Sequence, residues 1–156
     1  GITWGVWQSR PQSRGYIRAT SNNIKIDPII QPNYLKEKND QDILIEGVKM
    51  CRKLLKTSNI EKISVNETLP GEHVKTNNEI LNFVRNNGAT VYHAIGSCKM
   101  GVDQSAVVNP SLKILGLENI RVADASIMPT MPSGNTNAAT LMIAEKASDL
   151  IKKDLN

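Results

Sequence analysis

The chain has 156 residues, 40% of them hydrophobic but only 4% aromatic, and a net charge of +4, which allows one aliphatic core in a single domain or in a piece of a larger protein. Its Lys and Arg residues are scattered, densest around Lys49–Lys53 and at Lys152 and Lys153. They lack the basic stripe with interleaved aromatics of a nucleic-acid surface, so no nucleic-acid partner is expected.

Cys51 and Cys98 are too few for a disulfide framework and point to reduced thiols. No apolar run approaches the roughly 18 residues that span a bilayer, and no signal peptide is visible. The expected setting is the cytoplasm, with attachment at the periphery of the inner membrane as the alternative. The sequence opens Gly1-Ile2-Thr3 without a Met, and a preceding N-terminal portion is expected outside it.

Residues 1–13 hold both tryptophans and Pro11 and read as an irregular arm. "GYIRAT" from Gly15 to Thr20 alternates as a strand does. Residues 22–39 carry Pro28 and Pro32 and read as an extended connector. From Asp40 to Leu55 the period changes. Leu44, Val48, Cys51 and Leu55 share one helical face, and Asn39 or Asp40 is placed to cap its start. Cys51 then reads as a small core residue.

Residues 56–75 are polar and turn-rich, with His73 a solvated side chain among them. Thr76-x-x-Glu79 is a capping box. It opens a short helix with Ile80, Leu81 and Val84 on one face, closed by Asn87 and a left-handed Gly88. Val91 and His93 are expected on one face of a short strand, with Tyr92 on the other. Residues 106–114 show strand and turn character around Asn109-Pro110. "NIRVAD", Asn119 to Asp124, reads as a strand with Ile120 and Val122 on one face.

The clearest helix begins near Asn137. Ala138, Leu141, Met142, Ala144, Ala147, Leu150 and Ile151 give it a broad apolar surface. Glu145, Asp149 and Lys153 line the wet side at i, i+4 spacing. The stretch before it, Ser133-Gly134-Asn135-Thr136-Asn137, packs more capping residues together than one helix needs. The ordinary reading is a heavily capped helix. The alternative is an anion-friendly helix start with small side chains that let a ligand approach.

His93 lies in "YHAIGSCKMG", five residues before Cys98. A metal site lacks partners at C-x-x-C or H-x-x-x-H spacing, so no metal is expected. A Cys98 nucleophile lacks a visible adjacent base. A general acid or base suits a single imidazole, and a satisfied structural histidine is the ordinary answer. The residues alone leave these open.

"VYHAIGSCKMG" resembles the C-terminal signature of the glucose–methanol–choline oxidoreductase family, flavoproteins that oxidise alcohols. "VVNPSLKILGLENIRVADASIMPTMPSGNTNAATLMIAEKASDLI" is similar to the closing segment of that family, and "PQSRGYIRATS" and "DPIIQPNYL" to the opening of its C-terminal region. The choline-dehydrogenase-like branch is nearest in character. The chain departs from the pattern at Ala94, where Pro is common, at Ser97 (Thr) and at Asn109 (Asp). It also lacks the Gly-x-Gly-x-x-Gly turn that binds the ADP half of FAD in the family.

The resemblance implies an FAD cofactor and a small-molecule alcohol substrate. The missing N-terminal FAD-binding portion would be the partner of this chain, and without it the chain should be inactive. The electron acceptor stays undefined. His93 would take the hydroxyl proton while hydride passes to flavin N5, and Asn135 would stabilise the alkoxide, the two converging on a common cavity. Tyr92, Asp124, Ala125, Thr136, Asn137 and Ala138 would border the flavin. The implied fold is α+β. Residues 1–116 would be a substrate domain, an antiparallel or mixed sheet with packed helices. Residues 117–156 would be a strand and helix returning to the FAD-binding domain. A binding fragment that kept the fold, and a lyase on the same scaffold, are the rival readings.

Overall fold

The computed structural model describes residues 1–63 and 66–155. Ser64 and Val65, part of the polar stretch expected over 56–75, and Asn156 lie outside the described residues. In chain order the elements are β1 (Tyr16–Arg18), β2 (Ile29–Gln31), α1 (Lys38–Leu55), α2 (Ser58–Glu61), α3 (Asn77–Asn87), a 3-10 turn (Ala125–Ile127) and α4 (Asn137–Leu155). The class is α+β, as expected, but the sheet is far smaller than expected. Among the described residues, β1 and β2 make one two-stranded antiparallel sheet. Among the described residues, the stretch read as a strand at 91–93 makes no bridge, and those at 106–114 and 119–124 reduce to isolated bridges, Met100 with Val108, Val108 with Ile114, and Lys113 with Arg121. Left-handed backbone at Tyr92, Leu112 and Asn119 (φ 61°, 66° and 59°) interrupts each segment before a ladder can grow.

The chain divides into two compact units. The first comprises residues 1–15 and 30–89. α1 starts two residues before the expected Asp40, with Glu37 at the cap position and no side-chain cap there. Asp40 is the third helical residue and is buried, its carboxylate turned to the N-terminal arm instead of its own helix end. That arm passes close over α1 because position 47 is glycine. A Cβ there would stand 2.2 Å from a methyl of Val6. Ile45 of α1 packs with Val74 and Ile80, and Val48, Leu81, Phe83 and Val84 close around them.

α3 has the capping box expected. The Glu79 N–H donates to Thr76 Oγ1 at 3.3 Å, and the Thr76 N–H donates to Glu79 Oε2 at 2.8 Å. Its other end differs. Gly88 is extended (φ −68°, ψ 147°) and not left-handed. A Cβ there would meet the Val84 carbonyl oxygen at 2.5 Å, and that oxygen accepts the Gly88 N–H that closes the helix.

The second unit comprises residues 16–29 and 90–156. Its core is Val108, Leu112, Ile127, Met128, Ile143 and Ala147, with Ile95, Met100, Ile114 and Val122 against it. Burying an isoleucine such as Ile127 contributes about 1.5–3 kcal/mol. α4 enters this core through Ala139, Ile143, Ala147 and Leu150, a stripe at i, i+4, i+8, i+11. Leu141 and Met142, expected among the apolar surface, remain 60% and 61% exposed. Ile143, one residue on, is the buried position.

Candidate active site

The histidine segment and the start of α4 lie in the same unit, and one turn connects them. The N–H groups of Cys98 and Met100 donate to the carbonyls of Ser126 and Ile127 at 2.9 and 2.8 Å. The 3-10 turn is capped by Asp124, whose carboxylate accepts the Ser126 N–H at 2.8 Å. The Ser126 hydroxyl and then its N–H hold that carboxyl below the usual aspartate range. Ile127 and Met128 sink into the core beside Ile143. Both ends of the long segment 93–135 are therefore registered on one packed turn, and flexible loops do not have to find each other.

His93 follows the left-handed Tyr92, a residue that is 87% exposed. The imidazole is half-buried and Asn135 is exposed. Separated by 42 positions, the two meet, with His93 Nε2 at 2.8 Å from Asn135 Oδ1. Thr136, the next residue, places Oγ1 at 3.5 Å from His93 Nδ1. Adjacent residues thus face both ring nitrogens. The Thr136 carbonyl accepts the Thr140 N–H at 2.9 Å and the Thr140 hydroxyl at 2.8 Å, which anchors the first turn of α4.

Asn137 and Ala138 open α4 with exposed side chains. The first N–H groups of any helix lack intrahelical acceptors and carry the positive end of its dipole. Asp124 and Ala125 belong to the supporting turn. Asp124 is committed to Ser126, and Ala125 packs on the core. Cys98 is a half-buried free thiol whose backbone, not its sulfur, anchors the loop. Among the described residues, no three His, Cys, Asp or Glu side chains gather as a metal site would require, and no helix is long and apolar enough to cross a membrane. Thr140 and Ser126 were not singled out from sequence. The i, i+4 spacing of Thr136 and Thr140 at a helix start is the one local signal that points to either.

Chemically, the arrangement can hold an imidazole between two polar groups beside an exposed helix start. It can exchange a proton at a ring nitrogen and offer an amide N–H to a neighbouring oxygen.

Known proteins carry the same region. Residues 11–144 match the family model described as GMC oxidoreductase. Over its whole length the chain is 42% identical to alcohol dehydrogenase [acceptor] of Pseudomonas putida, covering 28% of that protein. It is 44% identical over 94% of its length to the mitochondrial choline dehydrogenase of Homo sapiens, covering 25% of it. Among solved structures, it superposes with a TM-score of 0.84 on pyridoxine 4-oxidase from Mesorbium loti, at 32% identity over 90% of this chain and 28% of that one. An FAD-dependent oxidoreductase from Chaetomium thermophilum gives a TM-score of 0.86 at 26% identity, over 93% of this chain and 25% of the other. The chain therefore spans about a quarter of the length of the relatives it matches. On the family match and these identities, the chain belongs to the GMC oxidoreductases.

Proposed function

We propose that the chain is the C-terminal region of an FAD-dependent alcohol oxidoreductase. Residues 1–116 serve the substrate side, and 117–156 complete a flavin-binding domain with the portion that precedes this chain. Relatives named as alcohol and choline dehydrogenases, and a neighbour named as FAD-dependent, support the reaction class. The observation that carries the reading is the 2.8 Å approach of His93 Nε2 to Asn135 Oδ1 beside the exposed start of α4.

The residues present fit a flavin. Asn137 and Ala138 put small exposed side chains, and the donor end of a long helix, where an electron-rich ring edge would be favoured. The left-handed backbone at Tyr92 offers a second border. Bound FAD would supply the two-electron acceptor for the hydrogen on the alcohol carbon.

The chemistry assigned to the chain is positional and electrostatic. His93 accepts the hydroxyl proton at Nε2, within hydrogen-bond reach of an alcohol that displaces the Asn135 oxygen. A half-turn of the Asn135 carboxamide then presents its N–H groups to the alkoxide. That stabilises developing negative charge without a titrating group. The substrate is a small alcohol.

The test uses the complete protein loaded with FAD and mixed anaerobically with choline or a simple primary alcohol. Loss of the oxidised-flavin absorbance is expected. Retention of the colour with every alcohol, or failure to take up FAD, would overturn the proposal. Cyanide release from a cyanohydrin with the flavin still oxidised would assign the scaffold to a lyase instead.

A further inference from the structure

The geometry points to Thr136 as a positioning residue that fixes the tautomer of His93. This inference rests on the function proposed above and adds a group to the site.

A histidine that takes a proton at Nε2 must begin with Nε2 bare, so its ring hydrogen must reside on Nδ1. Neutral imidazole exchanges between its two tautomers, Nε2–H being the commoner in water, and the partner of the remote nitrogen decides which one a folded site holds. On the Nε2 side stands Asn135 Oδ1, at 2.8 Å. As an acceptor it favours a hydrogen on Nε2, the tautomer that cannot act as a base there. On the Nδ1 side stands Thr136 Oγ1, at 3.5 Å. A hydroxyl oxygen can accept the Nδ1 hydrogen and tip the ring to the working form. The distance is at the outer limit of a hydrogen bond, as is common before substrate tightens a site.

Once the hydroxyl proton has moved from the alcohol oxygen to Nε2, the ring is a cation with hydrogens on both nitrogens. The Nε2 hydrogen then faces the alkoxide oxygen that took the place of Asn135 Oδ1, and the Nδ1 hydrogen faces Thr136 Oγ1. Thr136 thus serves the ring before and after transfer. Its backbone is placed independently of its hydroxyl, because its carbonyl accepts both the N–H and the hydroxyl of Thr140. Removal of the hydroxyl should therefore leave the helix start in place.

The experiment compares Thr136→Val, which keeps the branched shape, with Thr136→Ser, which keeps the hydroxyl, in the complete flavoenzyme. In the valine variant kcat is expected to fall about tenfold with KM changed less than about twofold, the usual scale for a lost group behind a catalytic imidazole. Serine should restore most of the rate. Nitrogen-15 NMR of labelled histidine should show His93 protonated at Nδ1 in the wild type and shifted toward Nε2–H in the valine variant. A valine variant with wild-type kcat, a serine variant as slow as valine, or a tautomer unchanged between wild type and valine would overturn the inference. If the wild type reduces no flavin with any alcohol, the proposed function fails, while the NMR comparison still decides the role of Thr136.

Discussion

Ser13 grips Asp40 twice: its N–H and its hydroxyl both donate to Oδ2, at 2.8 and 2.6 Å. The Gln12 N–H adds a bond to Oδ1 at 2.9 Å, and the Gln8 amide approaches the same oxygen at 3.5 Å. The carboxylate is 2% exposed, and it fastens the N-terminal arm to α1. Burial works to raise its pKa. The Ser13 hydroxyl, the N–H groups of Gln12 and Ser13 and the Gln8 amide outweigh that and hold it below the ordinary 3.8.

Asp40→Asn should therefore destabilise the protein by about 1.5–3 kcal/mol at neutral pH, the range for hydrogen bonds to a charged group. The folded pKa is depressed, so the contribution is fully present above the unfolded value near 3.8 and disappears as pH falls through the lower folded value. Urea midpoints at pH 7 and pH 3 check this. The gap between wild type and variant should narrow in acid, and equal gaps at both pH values would contradict the assignment.

His93→Ala in the FAD-loaded protein should slow anaerobic flavin reduction by about two to four orders of magnitude, the scale of a lost general base. Asn135→Ala should cost about a hundredfold, the scale of one lost alkoxide donor. Stopped-flow bleaching at saturating alcohol measures both. A wild-type rate in either variant removes that residue from the chemistry.

What could be read from the sequence follows the range of the interaction involved. The capping box at Thr76 and Glu79 and the helix after Asn137 were legible because both depend on neighbours within one or two turns. The buried face of α4 was legible at Ala147 and Leu150 but not at its first turns, because Leu141 and Ile143 are equally apolar and only the packing of Ile127 and Met128 selects between them. Asp40 looked like a helix cap because its true partner, Ser13, lies 27 positions away. The strand read through Tyr92 failed because periodicity carries no sign of φ, and a left-handed residue there turns the chain. His93 and Asn135 stood out locally, as a lone imidazole and in a crowded helix start, and the resemblance supplied their roles. The contact of Thr136 with the imidazole, 43 positions distant, had no local sign.

Arg52 and Glu67 form a fork. Arg52 Nε donates to Oε2 at 2.9 Å and Nη2 to Oε1 at 2.8 Å, with side chains only 22% and 15% exposed. Arg52 Nη2 also donates to the Gly71 carbonyl, and the Gly71 N–H donates to Glu67 Oε1, both at 3.2 Å. The pair pins the turn before α3 to α1. Lysine has no fork to reproduce this geometry. Arg52→Lys should cost about 1–2 kcal/mol, and Glu67→Ala, which strands a partly buried cation, about 2–3 kcal/mol. A double-mutant cycle by urea denaturation should return a clearly positive coupling energy. Strict additivity would show that the fork contributes nothing of its own.

The last turn of α4 is held by charge. Asp154 Oδ2 pairs with Lys113 Nζ at 2.7 Å and with Arg121 Nη2 at 2.6 Å. Arg121 in turn donates through Nε to the Ser111 carbonyl at 3.1 Å. The hydrogen bonds from Lys113 and then Arg121 hold the Asp154 carboxyl down to about 2. A depressed carboxyl stabilises the fold above its unfolded value near 3.8 and ceases to as pH falls through about 2. Asp154 and Lys113 are exposed, so salt should weaken the pairing as well. Hydrogen exchange of the backbone amides of residues 150–155 is therefore expected to quicken in Asp154→Asn at pH 5 relative to wild type. The difference should shrink in high salt and vanish near pH 2. Equal exchange of the two proteins at pH 5 in low salt would mean that packing through Leu150, and not the carboxylate, closes the helix.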